Sequence, residues 1–248
     1  MLTTTERDFF HDQGYLLKPG LLTAARVAEM QSLIDEQLRQ ALGPATRRAN
    51  DQVDLNPDGT PVAVYRLSRV MARHAAFQAV AMDPQIAMVA RGLLGPDAAV
   101  CLNRHNMMIA KAPRVGRPIA WHQDGATWGH DELLALILFL SDAHPGNGCL
   151  EIMPGLHRRG ILPSTNENGF ACLDLKHPEV APLAAQALPV VARAGDALFF
   201  HALLPHASKA NSSEQARPTL TFAYISASRK ALRFSTAMEP IQTLPLPA

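Results

Sequence analysis

Val27, Met30, Leu33, Ile34, Leu38 and Leu42 recur at the spacing that lays one apolar stripe along a helix. Thr23 stands where an N-cap belongs and Gly43-Pro44 stops the run, so a helix is predicted between them. Upstream, Thr3 followed by Glu6 is a capping-box pattern, and Phe9-Phe10 leads to Gly14, which predicts a short opening helix ending before Tyr15-Leu16-Leu17. Residues 74–94 read as two short helices divided at Asp83-Pro84, because proline starts a helix but does not continue one. Between these lies 44–62, where Asn50-Asp51, Asn56-Pro57 and Asp58-Gly59 show turn chemistry and no sustained period. It is predicted to be a long loop, of the kind that often serves as a lid.

From Ala98 the pattern changes to short β-rich runs bounded by Gly, Pro, Asp and Asn, at 100–110, 119–123, 134–140, 149–153, 188–191, 197–200 and 218–226. A helical part over about 1–95 followed by a strand-rich part over about 98–228 predicts an α+β fold with a mainly β core and the helices packed outside a sandwich or barrel. With no internal repeat, low-complexity tract or linker, residues 1–248 are expected to form a single domain.

Composition narrows the function. A 48% hydrophobic and 18% charged chain is ordinary globular material, and a net charge of +1 gives no footprint for nucleic acid or an anionic membrane. The pairs Arg47-Arg48 and Arg158-Arg159 are too short to change that and read as solvated surface. Cys101, Cys149 and Cys172 are odd in number and widely spaced, which argues against a disulfide framework and fits a reducing cytoplasm. The first ten residues carry charge where a signal peptide needs an apolar run, and the longest apolar stretch, 133–140, is too short to cross a bilayer. A cytoplasmic protein is expected; nothing in the pattern sets an oligomeric state.

The candidate chemistry centres on Ile119-Ala-Trp-His-Gln-Asp-Gly125. On a strand, His122 and Asp124 would share a face with alpha carbons about 6.6 Å apart, so an imidazole and a carboxylate could meet at one ion. Two histidines and one carboxylate suit non-heme Fe(II) and leave coordination positions open. For the third donor the sequence offers His201 and His206. His206 is favoured because Ser208 follows, then the turn residues Asn211-Ser212-Ser213, then Arg217, whose guanidinium on a returning strand could hold a carboxylate bidentately. His201 is read as structural or supporting. Taken alone, a His-x-Asp pair is more often an ordinary polar contact than a metal site. His105, His130, His144 and His157 are expected to be structural or exposed, Gly146, Gly148, Pro154 and Gly155 to serve turn geometry, and Trp128 to be as apt to fill core as to line a substrate pocket.

Several ordered pieces resemble a family. Met107-Met-Ile-Ala-Lys-Ala-Pro113, Trp121-His-Gln-Asp-Gly125, Asn147-Gly-Cys-Leu-Glu-Ile-Met-Pro-Gly-Leu-His157, Ala194-Gly-Asp-Ala-Leu-Phe-Phe200 and the His206, Ser208, Asn211, Ser212, Arg217 spacing are similar to the phytanoyl-CoA dioxygenase (PhyH)-like branch of the Fe(II)/2-oxoglutarate-dependent dioxygenases. Leu156 stands where that family usually has serine. The resemblance implies a double-stranded β-helix, the cupin-like jelly roll. It implies that His122, Asp124 and His206 bind Fe(II), and that Arg217, assisted by Ser208, pairs with the distal carboxylate of 2-oxoglutarate. By the same resemblance Met107 lines the co-substrate with Asn106 adjacent, and Arg66 matches a family lysine that also reaches it. The implied reaction hydroxylates a small metabolite or biosynthetic intermediate while 2-oxoglutarate and O2 become succinate and CO2. Halogenating relatives carry a small residue at the carboxylate position, so Asp124 favours hydroxylation. Two other classes fit the three donors alone: a cupin-like zinc isomerase or hydrolase, and a catalytically silent metal-binding sensor. Neither requires Arg217 and Ser208. Substrate contacts are expected from 44–62, Trp128 and 162–182.

Overall fold

The computed structural model describes residues 2–43, 45–128, 133–167, 170–228 and 240–247. The elements in chain order are α1 (Thr4–Gln13), β1 (Tyr15–Lys18), α2 (Ala24–Leu42), β2 (Gln52–Leu55), β3 (Pro61–Ser68), α3 (Ala75–Ala81), α4 (Pro84–Leu94), β4 (Ala98–Cys101), β5 (Met107–Lys111), β6 (Ile119–His122) and α5 (Asp124–Trp128). There follow β7 (Leu134–Phe139), β8 (Leu150–Ile152), β9 (Ser164–Glu167), β10 (Phe170–Leu173), β11 (Leu188–Pro189), β12 (Ala197–His201), β13 (His206–Ser208), β14 (Arg217–Ser226) and β15 (Thr243–Pro245). The helix starts follow the local chemistry. Thr3 and Glu6 form the reciprocal capping box, Thr23 accepts from the Arg26 amide, and Asp83 caps α4 with Pro84 in its first turn.

Two antiparallel sheets face one another, as in a jelly roll. The larger runs β1-β12-β7-β14-β5-β3-β2, with β4 paired to the far end of β14 and to β15; the smaller runs β11-β8-β13-β6-β10-β9. Register decides what each face carries, because cross-strand partners project to the same side. Leu134, Leu136 and Leu138 pair with Tyr224, Phe222 and Leu220, and this outer face is buried with Met30 and Ile34 of α2, Phe77 and Val80 of α3 and Ile86 of α4. The Tyr224 hydroxyl donates to the Ala81 carbonyl at 2.7 Å, which gives a fully buried phenol its partner. On the inner face Ala135, Ile137, Phe139, Leu198 and Phe200 pack with Leu150 and Ile152 of the smaller sheet. β7 is buried on both sides, which is why it reads as a continuous apolar run and not as an alternation.

Two expectations are corrected. Residues 44–62 are not one long loop, since β2 and the start of β3 form a hairpin at the edge of the larger sheet around the Asn56–Gly59 turn. Its residues are half exposed and interrupted by register shifts, so no clean alternation marks them. The predicted 100–110 strand is two strands lying end to end along β14. Val100 faces Tyr224 and Met107 faces Thr221, so six residues on one side stand against Phe222 and Ala223 on the other. The surplus bulges inward, with His105 at φ 44°.

Candidate metal centre

The pairing of β6 with β13 sets His122 directly opposite His206, and β8 flanks His206 with Ile152. His122 is the last residue of β6 and Asp124 the first of α5, so the two donors meet across a turn and not along one strand as expected. That turn is locked by Gln123, fully buried, whose amide donates to the Gly160 and Leu203 carbonyls at 2.9 and 2.6 Å and accepts from the Leu162 amide at 2.8 Å. Sequence reading missed Gln123; a polar residue between two candidate ligands was its only signal.

Possible ligand atoms of His122, Asp124 and His206 all lie within 4.8 Å of one another, and all three residues are buried. The Nε2 atoms of His122 and His206 are 3.5 and 3.7 Å from the two Asp124 oxygens. Donors about 2.1 Å from one ion sit about 3.0–3.5 Å apart, so little adjustment would be needed. The tautomers are set. His122 Nδ1 lies 2.8 Å from the Ala120 carbonyl and His206 Nδ1 lies 2.9 Å from that of Leu204; a carbonyl can only accept, so each Nδ1 donates and each Nε2 lone pair faces the carboxylate. Burial first, then the neighbouring His122, pulls the His206 pKa down to about 4, which keeps it neutral and able to ligate.

His105, expected to be structural or exposed, is buried outside the donor cluster, with its Nε2 3.0 Å from Asp124 Oδ1. Burial alone would raise the Asp124 pKa, but His105, which hydrogen-bonds Oδ1, outweighs it and holds the carboxyl well below its ordinary range. With Oδ1 engaged, Asp124 Oδ2 is buried without a hydrogen-bond partner. An orphaned carboxylate oxygen between two imidazole lone pairs fits a bound divalent ion.

Around these donors is a pocket of about 640 Å³ including its mouth, walled by Tyr65, Arg66, His105, Met107, Ile109, Ile119, Trp128, Ile137, Leu150, Phe170, Phe200, Ala207, Ser208 and Thr221 besides the three donors. Met107, Ser208, Arg66 and Trp128 all line it. The hydroxyls of Ser208 and Thr221 are buried without partners. Phe170, on the β9–β10 hairpin of the 162–182 segment, brings its ring 4.7 Å from that of His122. Arg217 lies four positions before Thr221 on β14, beyond the wall itself. It is buried at 5% exposure, no carboxylate pairs with it among the described residues, and its Nε has no hydrogen-bond partner. Burial lowers its pKa to about 10, which still leaves it charged at neutral pH. Beside it Lys111, opposite Arg217 in register, donates to the Arg117 and Lys209 carbonyls at 2.7 and 2.5 Å, and burial with the Arg217 charge brings its pKa down to about 7.

Asn106 is a correction. Its amide accepts from the Met71 N–H at 3.0 Å and donates to the Leu102 carbonyl at 2.8 Å, so it closes the inward bulge and stands off the pocket wall. Among the remaining histidines, His157 donates to the His11 carbonyl at 3.2 Å and packs against His201 with ring centres 5.1 Å apart, both away from the donors; His144 is exposed. His130 lies outside the described residues.

The phytanoyl-CoA dioxygenase (PhyH) family model matches residues 10–219. The chain belongs to that family. Among its relatives, methylphosphonate hydroxylase of Gimesia maris is 28% identical over 224 residues, 90% of this chain and 80% of the relative. Ectoine dioxygenase of Stutzerimonas stutzeri is 28% identical over 233 residues, 87% of this chain and 74% of the relative. EctD from S. alaskensis, solved with 2-oxoglutarate and 5-hydroxyectoine, superposes with a TM-score of 0.77 at 22% identity, covering 96% of this chain and 82% of that one. The epimerase SnoN, solved with Fe3+, alpha ketoglutarate and nogalamycin RO, gives 0.73 at 21% identity, with coverage of 94% and 86%. These likenesses establish the double-stranded β-helix of this family member. Among the described residues no helix is long and apolar enough to cross a membrane.

Proposed function

We propose that this protein is an Fe(II)/2-oxoglutarate-dependent dioxygenase that hydroxylates a small molecule in the cytoplasm. One observation carries the reading: two imidazoles and an orphaned carboxylate oxygen share a buried site, and four positions from its wall on β14 lies the buried guanidinium of Arg217, with no carboxylate partner among the described residues. A metal-dependent isomerase or hydrolase, or a silent sensor, has use for the three donors but leaves Arg217 unexplained. When bound, iron with 2-oxoglutarate and O2 would supply the oxidising chemistry, with succinate and CO2 as co-products.

The chain's own part is binding, orientation and dryness. His122, Asp124 and His206 would hold the metal, with His105 fixing the Asp124 carboxylate through Oδ1 and leaving Oδ2 without a partner. Arg217 would bind the distal carboxylate of 2-oxoglutarate, and the Ser208 hydroxyl, buried and unpartnered, would add a hydrogen bond. Met107, Ile137 and Phe200 make the surrounding wall apolar, which excludes water and strengthens those charge interactions. The three free, buried cysteines support a cytoplasmic setting. Anaerobic titration of the purified protein with Fe(II) and 2-oxoglutarate tests the reading: a weak visible charge-transfer band and oxygen-dependent succinate formation are expected. If neither is seen, the dioxygenase reading fails.

A further inference from the structure

Arg66, which the family resemblance assigns to 2-oxoglutarate, is free for another partner where Arg217 takes the distal carboxylate. On β3 it pairs with Ile109 of β5, and Ile109 pairs with Thr219 of β14, so its side chain projects from the same inner face as Thr219 and Arg217. From the strand spacing and a two-residue offset, the alpha carbons of Arg66 and Arg217 are about 12 Å apart. Arg217 lies beyond the pocket wall, whereas Arg66 forms part of it. Its Nε is buried without a hydrogen-bond partner, and no carboxylate pairs with it among the described residues. The other arginines on this side are engaged: Arg73 with Asp51, Arg117 with Asp54 at 3.0 Å and over the Tyr65 ring at 4.2 Å, and Arg104 with the Asn103 carbonyl and the Trp128 ring.

The charges then decide. A divalent iron with the Asp124 carboxylate leaves one positive charge, Arg217 adds another, and the 2-oxoglutarate dianion cancels both. Arg66 is left as a fixed cation on a largely apolar wall. Asp124 is the only acidic residue on that wall among the described residues, and it is consumed by the metal. A partly desolvated guanidinium of this kind gains most from an anion that enters with it.

Resting on the dioxygenase reading, we propose that Arg66 is the specificity residue for the primary substrate, which carries one anionic group, a carboxylate, sulfonate or phosphonate, held by Arg66 while the carbon to be oxidised faces the metal.

Thermal-shift titration of the Fe(II)- and 2-oxoglutarate-loaded protein under argon tests this with matched pairs: small carboxylates and phosphonates against their neutral amides and methyl esters. The wild type is expected to prefer anionic members at least tenfold. Arg66→Met should lose that preference while the apparent 2-oxoglutarate affinity, followed by the charge-transfer band, moves less than twofold, and Arg66→Lys should restore part of it. No anion preference in the wild type, or a preference that survives in Arg66→Met, would overturn the assignment. So would a loss confined to 2-oxoglutarate affinity, which would return Arg66 to the co-substrate. A wild type that forms no band with Fe(II) and 2-oxoglutarate overturns the dioxygenase reading itself, and is told apart because it precedes any choice among substrates.

Discussion

The two faces of β14 are built from alternate residues of one strand, yet they do opposite work. Outward, Leu220, Phe222 and Tyr224 are fully buried against the helices, and their one side-chain polar atom, the Tyr224 hydroxyl, has its partner. Inward, Arg217 and Thr221 are buried with polar atoms that have none, and Thr219 makes a single long contact of 3.4 Å. Unsatisfied buried groups cost stability, so the inner face lowers the stability that the outer face supplies. The period of two along the strand lets the chain place both functions within ten residues.

Substitutions break this contrast in opposite directions. The largest effect falls on the donors: Asp124→Ala or His122→Ala should abolish 2-oxoglutarate-dependent oxygen consumption while the circular dichroism spectrum stays that of the wild type; retained turnover in either would remove the metal assignment. Next, Phe222→Ala should cost about 3–5 kcal/mol of stability in urea unfolding, with activity per folded molecule kept. Arg217→Met should do the reverse. Its stability should hold or rise, because an uncompensated buried charge is removed, while the 2-oxoglutarate requirement rises about 100-fold, the order expected for losing a charge-assisted pair. A marked drop in unfolding midpoint with unchanged co-substrate kinetics would make Arg217 a structural residue.

Smaller effects sharpen the picture. Gln123→Leu keeps the volume but strands two carbonyls and an amide, and it should weaken iron binding about 10–100-fold through misplaced ligands; competition with a chelator measures it. The pH response follows from the histidines. His206 and His201 both have folded pKa values near 4, each pulled down chiefly by burial, below the ordinary 6.5. The unfolded chain therefore binds more protons than the folded one in that range, and the stability from keeping them neutral is present above about pH 6.5 and lost as pH falls toward 4. Metal-free protein should show a lower urea midpoint at pH 5 than at pH 7, and equal midpoints would contradict it.

What the sequence made legible was whatever depends on local spacing. The α2 stripe, the caps of α1 and α4 and most core strands follow from residues within a few positions of one another. The cluster of His122, Asp124 and His206 was legible because its spacings survive as a motif. His105 was not, since it reaches Asp124 only through a bulge defined by register against β14, a relation between positions more than a hundred residues apart. The β2–β3 hairpin was hidden because an edge strand half open to solvent has little reason to alternate. Asn106 was placed by its neighbours in sequence, whereas its amide answers to the backbone of residues 71 and 102.

The central place of β14 has a consequence for how the protein is made. It pairs with β7, β5 and β4 together, all synthesised long before it. During translation the apolar β7 must wait, one edge unpaired, until residues 217–226 emerge, the interval in which a nascent sheet is most open to wrong association. The metal donors keep the same timetable. His122 and Asp124 emerge well before His206, so for iron held as proposed a growing chain would carry an incomplete set of donors. Loading with metal would then follow the closing of the sheet.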